Sequence, residues 1–76
     1  MTIRVRFFAS IREAVGHADL DVTPEGGLTA RTIWAKSTGL PEPKNLLVAI
    51  NQEYAALDTA VRDGDEVAYF PPVTGG

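Results

Sequence analysis

The chain has 76 residues, 45% of them hydrophobic, no cysteine and a formal net charge of −3. A chain of that length forms one domain and buries roughly 60% of the surface its unfolded form exposes, which argues against a deep, closed catalytic pocket. Without a thiol there are no disulfides, no thiolate catalysis and no cysteine metal site, and an acidic balance with dispersed Lys and Arg argues against nucleic acid and for a partner with a basic groove.

The start "MTIRVRFFAS" carries Arg4 and Arg6 inside its apolar run, which breaks a signal-peptide core. No segment approaches membrane-spanning length, so the expectation is a cytoplasmic protein with no membrane partner. "IRVRFF" alternates Ile3, Val5 and Phe7 with Arg4, Arg6 and Phe8, the two-residue period of a strand with one buried face. "SIRE" reads as a capping box in which Ser10 accepts from the amide of Glu13 and Glu13 reaches back to Ser10. It opens a short helix with Ile11, Ala14 and Val15 on one side and a stop at Gly16. "ADLDVT" alternates again, Leu20 and Val22 against Asp19 and Asp21, and pairs with the first strand so that its acids meet Arg4 and Arg6. Such cross-strand pairs contribute only about 0.2–1 kcal/mol each, but they agree with the register.

"PEGG" is a turn, and a second helix runs from Thr29 to Thr38 with Ala30, Ile33 and Trp34 on one face, Arg31 and Lys36 outward, and Gly39 and Pro41 at its end. "LLVAI" predicts a strand covered on both faces, "YAAL" a short edge strand, and "RDGDEVAYF" an Asp63-Gly64 turn leading into a last strand. The order of elements has too few helices for a doubly wound sheet. It predicts an α+β domain over residues 1–70, a mixed sheet packed against one main helix, with an extended C-terminal tail over residues 71–76.

Most polar residues have plain structural explanations. His17 is the single histidine and stands just past a helix stop, as a solvated loop residue. Asp63, Asp65 and Glu66 lack the spacing of a calcium loop and read as a charged turn, so no metal is assigned. Asn51, Gln52 and Glu53 read as a turn between strands, Trp34 as core, and Gly26 and Gly27 lack the pattern of a phosphate loop. Phe8 and Phe70 are more informative, because each alternates out of phase with the core residues of its strand. If the first and last strands are parallel neighbours, both aromatics lie at one end beside the departing tail, as a docking patch. The alternative places Phe70 in a second small core under "YAAL".

The tail "FPPVTGG" is built to protrude. Pro71 and Pro72 stiffen it, Val73 and Thr74 continue an extended backbone, and Gly75 and Gly76 offer no side chain to obstruct a narrow channel. From Pro71 to Gly76 the reach is up to about 20 Å at ~3.3 Å per residue, and the one reactive group it delivers is the terminal carboxylate. The plain alternative is a disordered end or an expression remnant.

Taken together, "IRVRFFASIREAVG", "VAIN" and "DGDEVAYFPPVTGG" resemble the MoaD/ThiS family of ubiquitin-like sulfur carriers, most narrowly the branch that forms the small subunit of molybdopterin synthase. The likeness covers nearly the whole chain, is weakest from Pro24 to Asn45 and most specific from Asp63 to Gly76, and Tyr69 stands where the family often has Phe. The resemblance implies a β-grasp fold. It implies that an ATP-dependent adenylating, E1-like enzyme converts Gly76 to an acyl-adenylate, that sulfur displaces AMP, and that the resulting thiocarboxylate enters the molybdopterin synthase large subunit. There sulfur passes to cyclic pyranopterin monophosphate. On this reading the chain binds no cofactor, ATP is consumed by the activating partner, and Phe8, Phe70, Pro71, Pro72, Val73 and Thr74 meet the large subunit. Alternatives are a carrier for thiamine synthesis or another pathway, and a ubiquitin-like modifier conjugated to lysines. A stand-alone hydrolase lacks a nucleophile–base pair supported by the sequence.

Overall fold

The computed structural model describes residues 1–72, so the tail positions Val73, Thr74, Gly75 and Gly76 lie outside the described residues. Strand alternation builds the centre of the molecule. β1 (Ile3–Phe7) buries Ile3, Val5 and Phe7 and exposes Arg4 and Arg6, and β5 (Glu66–Phe70) buries Val67 and Tyr69. These two strands are parallel neighbours, with Arg6 beside Ala68 and Phe7 beside Tyr69. β2 (Asp19–Val22) adds antiparallel to β1, while β3 (Leu47–Ile50) adds antiparallel to β5 and carries the edge strand β4 (Glu53–Ala55). The result is a mixed five-stranded sheet in the order β2-β1-β5-β3-β4.

One face of this sheet is covered by α2 (Ala30–Thr38), which buries Ala30, Ile33 and Trp34 as its spacing requires. Trp34 meets Phe7 and Tyr69 edge-to-face, with ring centres 6.1 and 5.2 Å apart, and its indole nitrogen donates to the Leu40 carbonyl at 2.9 Å. The Tyr69 hydroxyl donates to the Ala30 carbonyl, tying the last strand to the first turn of the helix. Gly39 stops α2 in the left-handed region at φ 66°, the conformation that glycine adopts without steric cost.

The capping box lies at a different helix from the one the sequence pattern selects. Thr29 caps α2, its hydroxyl accepting from the Thr32 amide while the Thr32 hydroxyl accepts from the Thr29 amide. At α1 (Ala9–Val15) the N-cap is Phe8, and Ser10 lies within the first turn. The cause is tertiary. The Phe8 amide donates to the Tyr69 carbonyl at 3.2 Å, which holds Phe8 in line with β1, and the chain turns immediately afterwards through Ala9 at φ 51°. The Phe8 carbonyl then accepts from the amides of Ile11 and Arg12, and Glu13 has no capping role to play. In this seven-residue helix Ile11 is buried and Val15 half-buried, whereas Ala14 faces solvent rather than the core.

The remaining turns match their sequence reading except that Glu53, read as part of the turn with Asn51 and Gln52, opens β4. In β3 neighbouring Val48 and Ala49, which point to opposite faces, are both buried, and β4 begins at Glu53, one residue before "YAAL". Asn51 and Gln52, at φ 52° and 71°, form a two-residue hairpin turn of the kind in which both central residues are left-handed. Asp65 closes the next turn, accepting from the Arg62 amide at 2.8 Å and from the Asn51 side chain at 3.0 Å, while the Asn51 side-chain oxygen Oδ1 accepts from the Glu66 amide. Those donated hydrogen bonds hold the Asp65 carboxyl below the usual carboxylate range. Asp65 therefore organises this turn, and among the described residues no group of three or more His, Asp or Glu side chains comes together as a metal site.

Candidate functional site

The sheet face opposite α2 carries cross-strand rows that follow from register alone. One row runs Asp19, Arg6, Ala68, Ala49, Tyr54, and the next brings Phe70 opposite Leu47. Phe8, one residue beyond β1, falls beside Phe70. Their rings stack with centres 4.8 Å apart and planes 8° from parallel. Tyr54, 75% exposed, meets Phe70 edge-on at 6.1 Å. The sequence posed two readings of Phe70, a docking patch with Phe8 or a small cluster by "YAAL". The structure places both contacts on the same ring.

Two alanines side by side in the middle of a row leave a hollow. Ala68 and Ala49 floor a basin of about 260 Å³, with Phe8, Phe70 and Tyr54 on one side and Arg6, Glu66 and Gln52 on the other. Arg6 reaches Glu66 at 3.6 Å, and its guanidinium carbon lies 5.3 Å from the centre of the Phe8 ring. Pro71 and Pro72 leave this end of β5 half-buried. Pairing with strands on both sides fixes the direction in which β5 delivers the chain, so aromatic patch and tail exit share one end of the sheet.

Phe8, Phe70, Pro71 and Pro72 are thus brought together, while Val73, Thr74, Gly75 and Gly76 lie outside the described residues. Sequence reasoning missed Arg6, Gln52, Tyr54, Glu66 and the two alanines. The signal was present in the two-residue period of each strand, but it becomes a surface only when the order β1-β5-β3-β4 is known. His17 is exposed in its loop and Trp34 is a core residue at 2% exposure, as their positions predict. No helix among the described residues is long and apolar enough to cross a membrane.

A mixed five-stranded sheet in the order β2-β1-β5-β3-β4 gripping one main helix is the ubiquitin-like β-grasp fold. The chain is similar over its full length to the solved small archaeal modifier protein 1 of Haloferax volcanii, with a TM-score of 0.77, 27% identity and complete coverage of both chains. It also matches a chain in the solved complex of subunits 1 and 2 of molybdopterin-converting factor from Helicobacter pylori, with a TM-score of 0.62, 27% identity and complete coverage of both. The molybdopterin synthase sulfur carrier subunit of Haemophilus influenzae is 40% identical across 97% of this chain and 99% of its own length. A sequence profile of the ThiS family matches residues 5–76. The chain belongs to the ThiS family.

Proposed function

We propose that this chain is a sulfur carrier of molybdopterin synthase, delivering sulfur on the carboxyl group of Gly76. The observation that carries the reading is the joint placement of the Phe8–Phe70 stack and the exit of "PPVTGG" at one end of the sheet, in a chain 40% identical to a protein named molybdopterin synthase sulfur carrier subunit. A surface that docks beside the exit orients whatever the tail carries. The solved Helicobacter pylori neighbour, a complex of two subunits, supports a large-subunit partner.

The chemistry follows from what a carboxylate cannot do unaided. It is a poor electrophile, so an ATP-dependent adenylating partner joins the Gly76 carboxylate to AMP with loss of pyrophosphate, forming a mixed anhydride. Sulfide released by the sulfur donor attacks the acyl carbon, AMP leaves with the bonding electron pair, and a thiocarboxylate remains. In the large subunit that sulfur attacks cyclic pyranopterin monophosphate, water then cleaves the acyl C–S bond to regenerate the Gly76 carboxylate, and the sulfur left on the substrate becomes part of the dithiolene of molybdopterin. Acid, base and anion-binding groups come from the partners, in the cytoplasm, and this chain supplies docking, reach and the carrier atom.

Incubation with the adenylating enzyme, ATP and a sulfur donor, followed by intact mass measurement, should show the exchange of one oxygen for sulfur at the C-terminus. An unchanged mass under conditions that convert a known carrier would remove the proposal. The Haloferax volcanii neighbour favours one second reading, a protein modifier. That reading requires isopeptide-linked adducts on lysines of other proteins, and the same mass experiment in a lysate separates the two.

A further inference from the structure

Arg6 stands between two acids and grips neither closely. Its register partner on β2 is Asp19, and on β5 its neighbour is Ala68, with Glu66 one step along the strand. Arg4, the next cation on this face, closes on its own register partner Asp21 at 3.0 Å. Arg6 makes no ion pair with Asp19 and stops 3.6 Å from Glu66, near the long limit of an ion pair. What it gains is the Phe8 ring, 5.3 Å from its guanidinium carbon. A guanidinium held against an aromatic ring keeps its in-plane N–H donors for a carboxylate, and its five donors are more than Glu66 alone can occupy. The side chain remains 46% exposed, at the lip of the basin floored by Ala68 and Ala49.

We infer that Arg6 is a specificity-determining residue of the docking face, pairing a carboxylate that the large subunit presents beside an apolar side chain seated in the Ala68–Ala49 basin. The inference rests on the docking reading above. Charge complementarity selects the occupant, because a cation at this lip meets the guanidinium, whereas a carboxylate shares its donors with Glu66. In the free protein the Arg6–Glu66 pair is screened by water. Docking excludes that water, so the new pair strengthens when the partner arrives and discriminates against surfaces that lack the acid.

The test is titration of the large subunit from the same source with the full chain, by calorimetry, at two salt concentrations. Arg6→Glu should raise Kd by roughly tenfold or more, Arg6→Ala by less, and Arg6→Lys should recover part of the loss, since a charge without the planar fork makes fewer bonds. The wild-type Kd should rise with salt more steeply than that of Arg6→Ala. Ala68→Leu should also weaken binding, although it adds apolar area, because it fills the basin. Arg4→Glu, on the same strand and face but tied to Asp21, should stay within about twofold of wild type. Wild-type affinity in Arg6→Glu, or tighter binding by Ala68→Leu, overturns the inference. If the wild-type chain itself does not bind the large subunit, the proposed function falls, and this inference with it.

Discussion

Tyr69 shows how one atom can be set apart in a hydrophobic core. Its ring packs between Phe7 and Trp34 with no exposed surface, and its hydroxyl is satisfied by the Ala30 carbonyl. Burial pushes the phenol well above its usual range, chiefly because a phenolate here would lose its hydration. The group is raised in the fold, so its contribution is fully present below the unfolded value of about 10 and is lost as pH climbs toward the folded one. Between those limits the unfolded chain has released a proton that the folded chain still holds. Tyr69→Phe should therefore cost about 1 kcal/mol near neutral pH, a fall of several degrees in Tm, from the lost hydrogen bond. It should also flatten the loss of stability above pH 10. Thermal unfolding of both proteins across pH 7–11 is the check, and parallel curves would show that Tyr69 does not govern the alkaline limb. Glu42 adds to the upward shift from a distance, so Glu42→Gln should leave most of the effect in place.

At the scale of elements, the strands and α2 were legible because each is specified by its own periodicity. Ile3, Val5 and Phe7 alternate, Ala30, Ile33 and Trp34 recur at helical spacing, and the structure buries all six. The start of α1 was not legible in the same way. "SIRE" satisfies the pattern of a capping box, yet the bond from the Phe8 amide to the Tyr69 carbonyl decides where the helix begins, and that partner lies 61 residues away (69 − 8). Likewise the strand alternation brings Asp19 to Arg6, whereas the structure pairs Arg6 with Glu66 on β5, with the Phe8 ring beside its guanidinium, a neighbour that only the sheet order reveals. The β3–β4 hairpin carries a prediction of its own. Gln52 sits at φ 71° in the second turn position, where glycine is the preferred residue. A left-handed non-glycine residue costs roughly 1–2 kcal/mol, and glycine returns about 0.4–1 of that through unfolded-state entropy. Gln52→Gly should thus stabilise the domain by about 0.5–1 kcal/mol, read as a rise in the denaturant midpoint with unchanged slope. A lower midpoint would mean that the Gln52 side chain, on the rim of the basin, stabilises the hairpin by packing.

At the scale of the whole molecule, the proposed sharing of work between the sheet face and the C-terminal glycine predicts that docking and transfer can be separated. Phe8 and Phe70 stack on the face opposite α2, away from the core under the helix, so a charge there should spare the fold and weaken the partner complex. Phe70→Glu should keep most of the wild-type Tm and bind the large subunit poorly, and Phe8→Glu should behave alike. Unfolding of Phe70→Glu together with a silent Phe8→Glu would make the cluster with Tyr54 a structural core instead. Removal of Gly76 should do the opposite. Docking through the sheet face should persist, while the carboxylate falls one residue short of the adenylating centre, where ~1 Å of misplacement can cost on the order of 100-fold. On the proposed function, a bulky residue at Gly75 should act in the same direction by obstructing any narrow channel that must admit the C-terminal backbone. The paired measurement is affinity for the large subunit beside the mass of the chain after ATP, adenylating enzyme and sulfur donor. Phe70→Glu should gain sulfur if it still engages the adenylating enzyme, yet fail to deliver it, and the chain lacking Gly76 should bind yet gain none. A chain lacking Gly76 that acquires sulfur normally and still forms product would place the reacting carbon elsewhere and leave the Gly-Gly end without a chemical role.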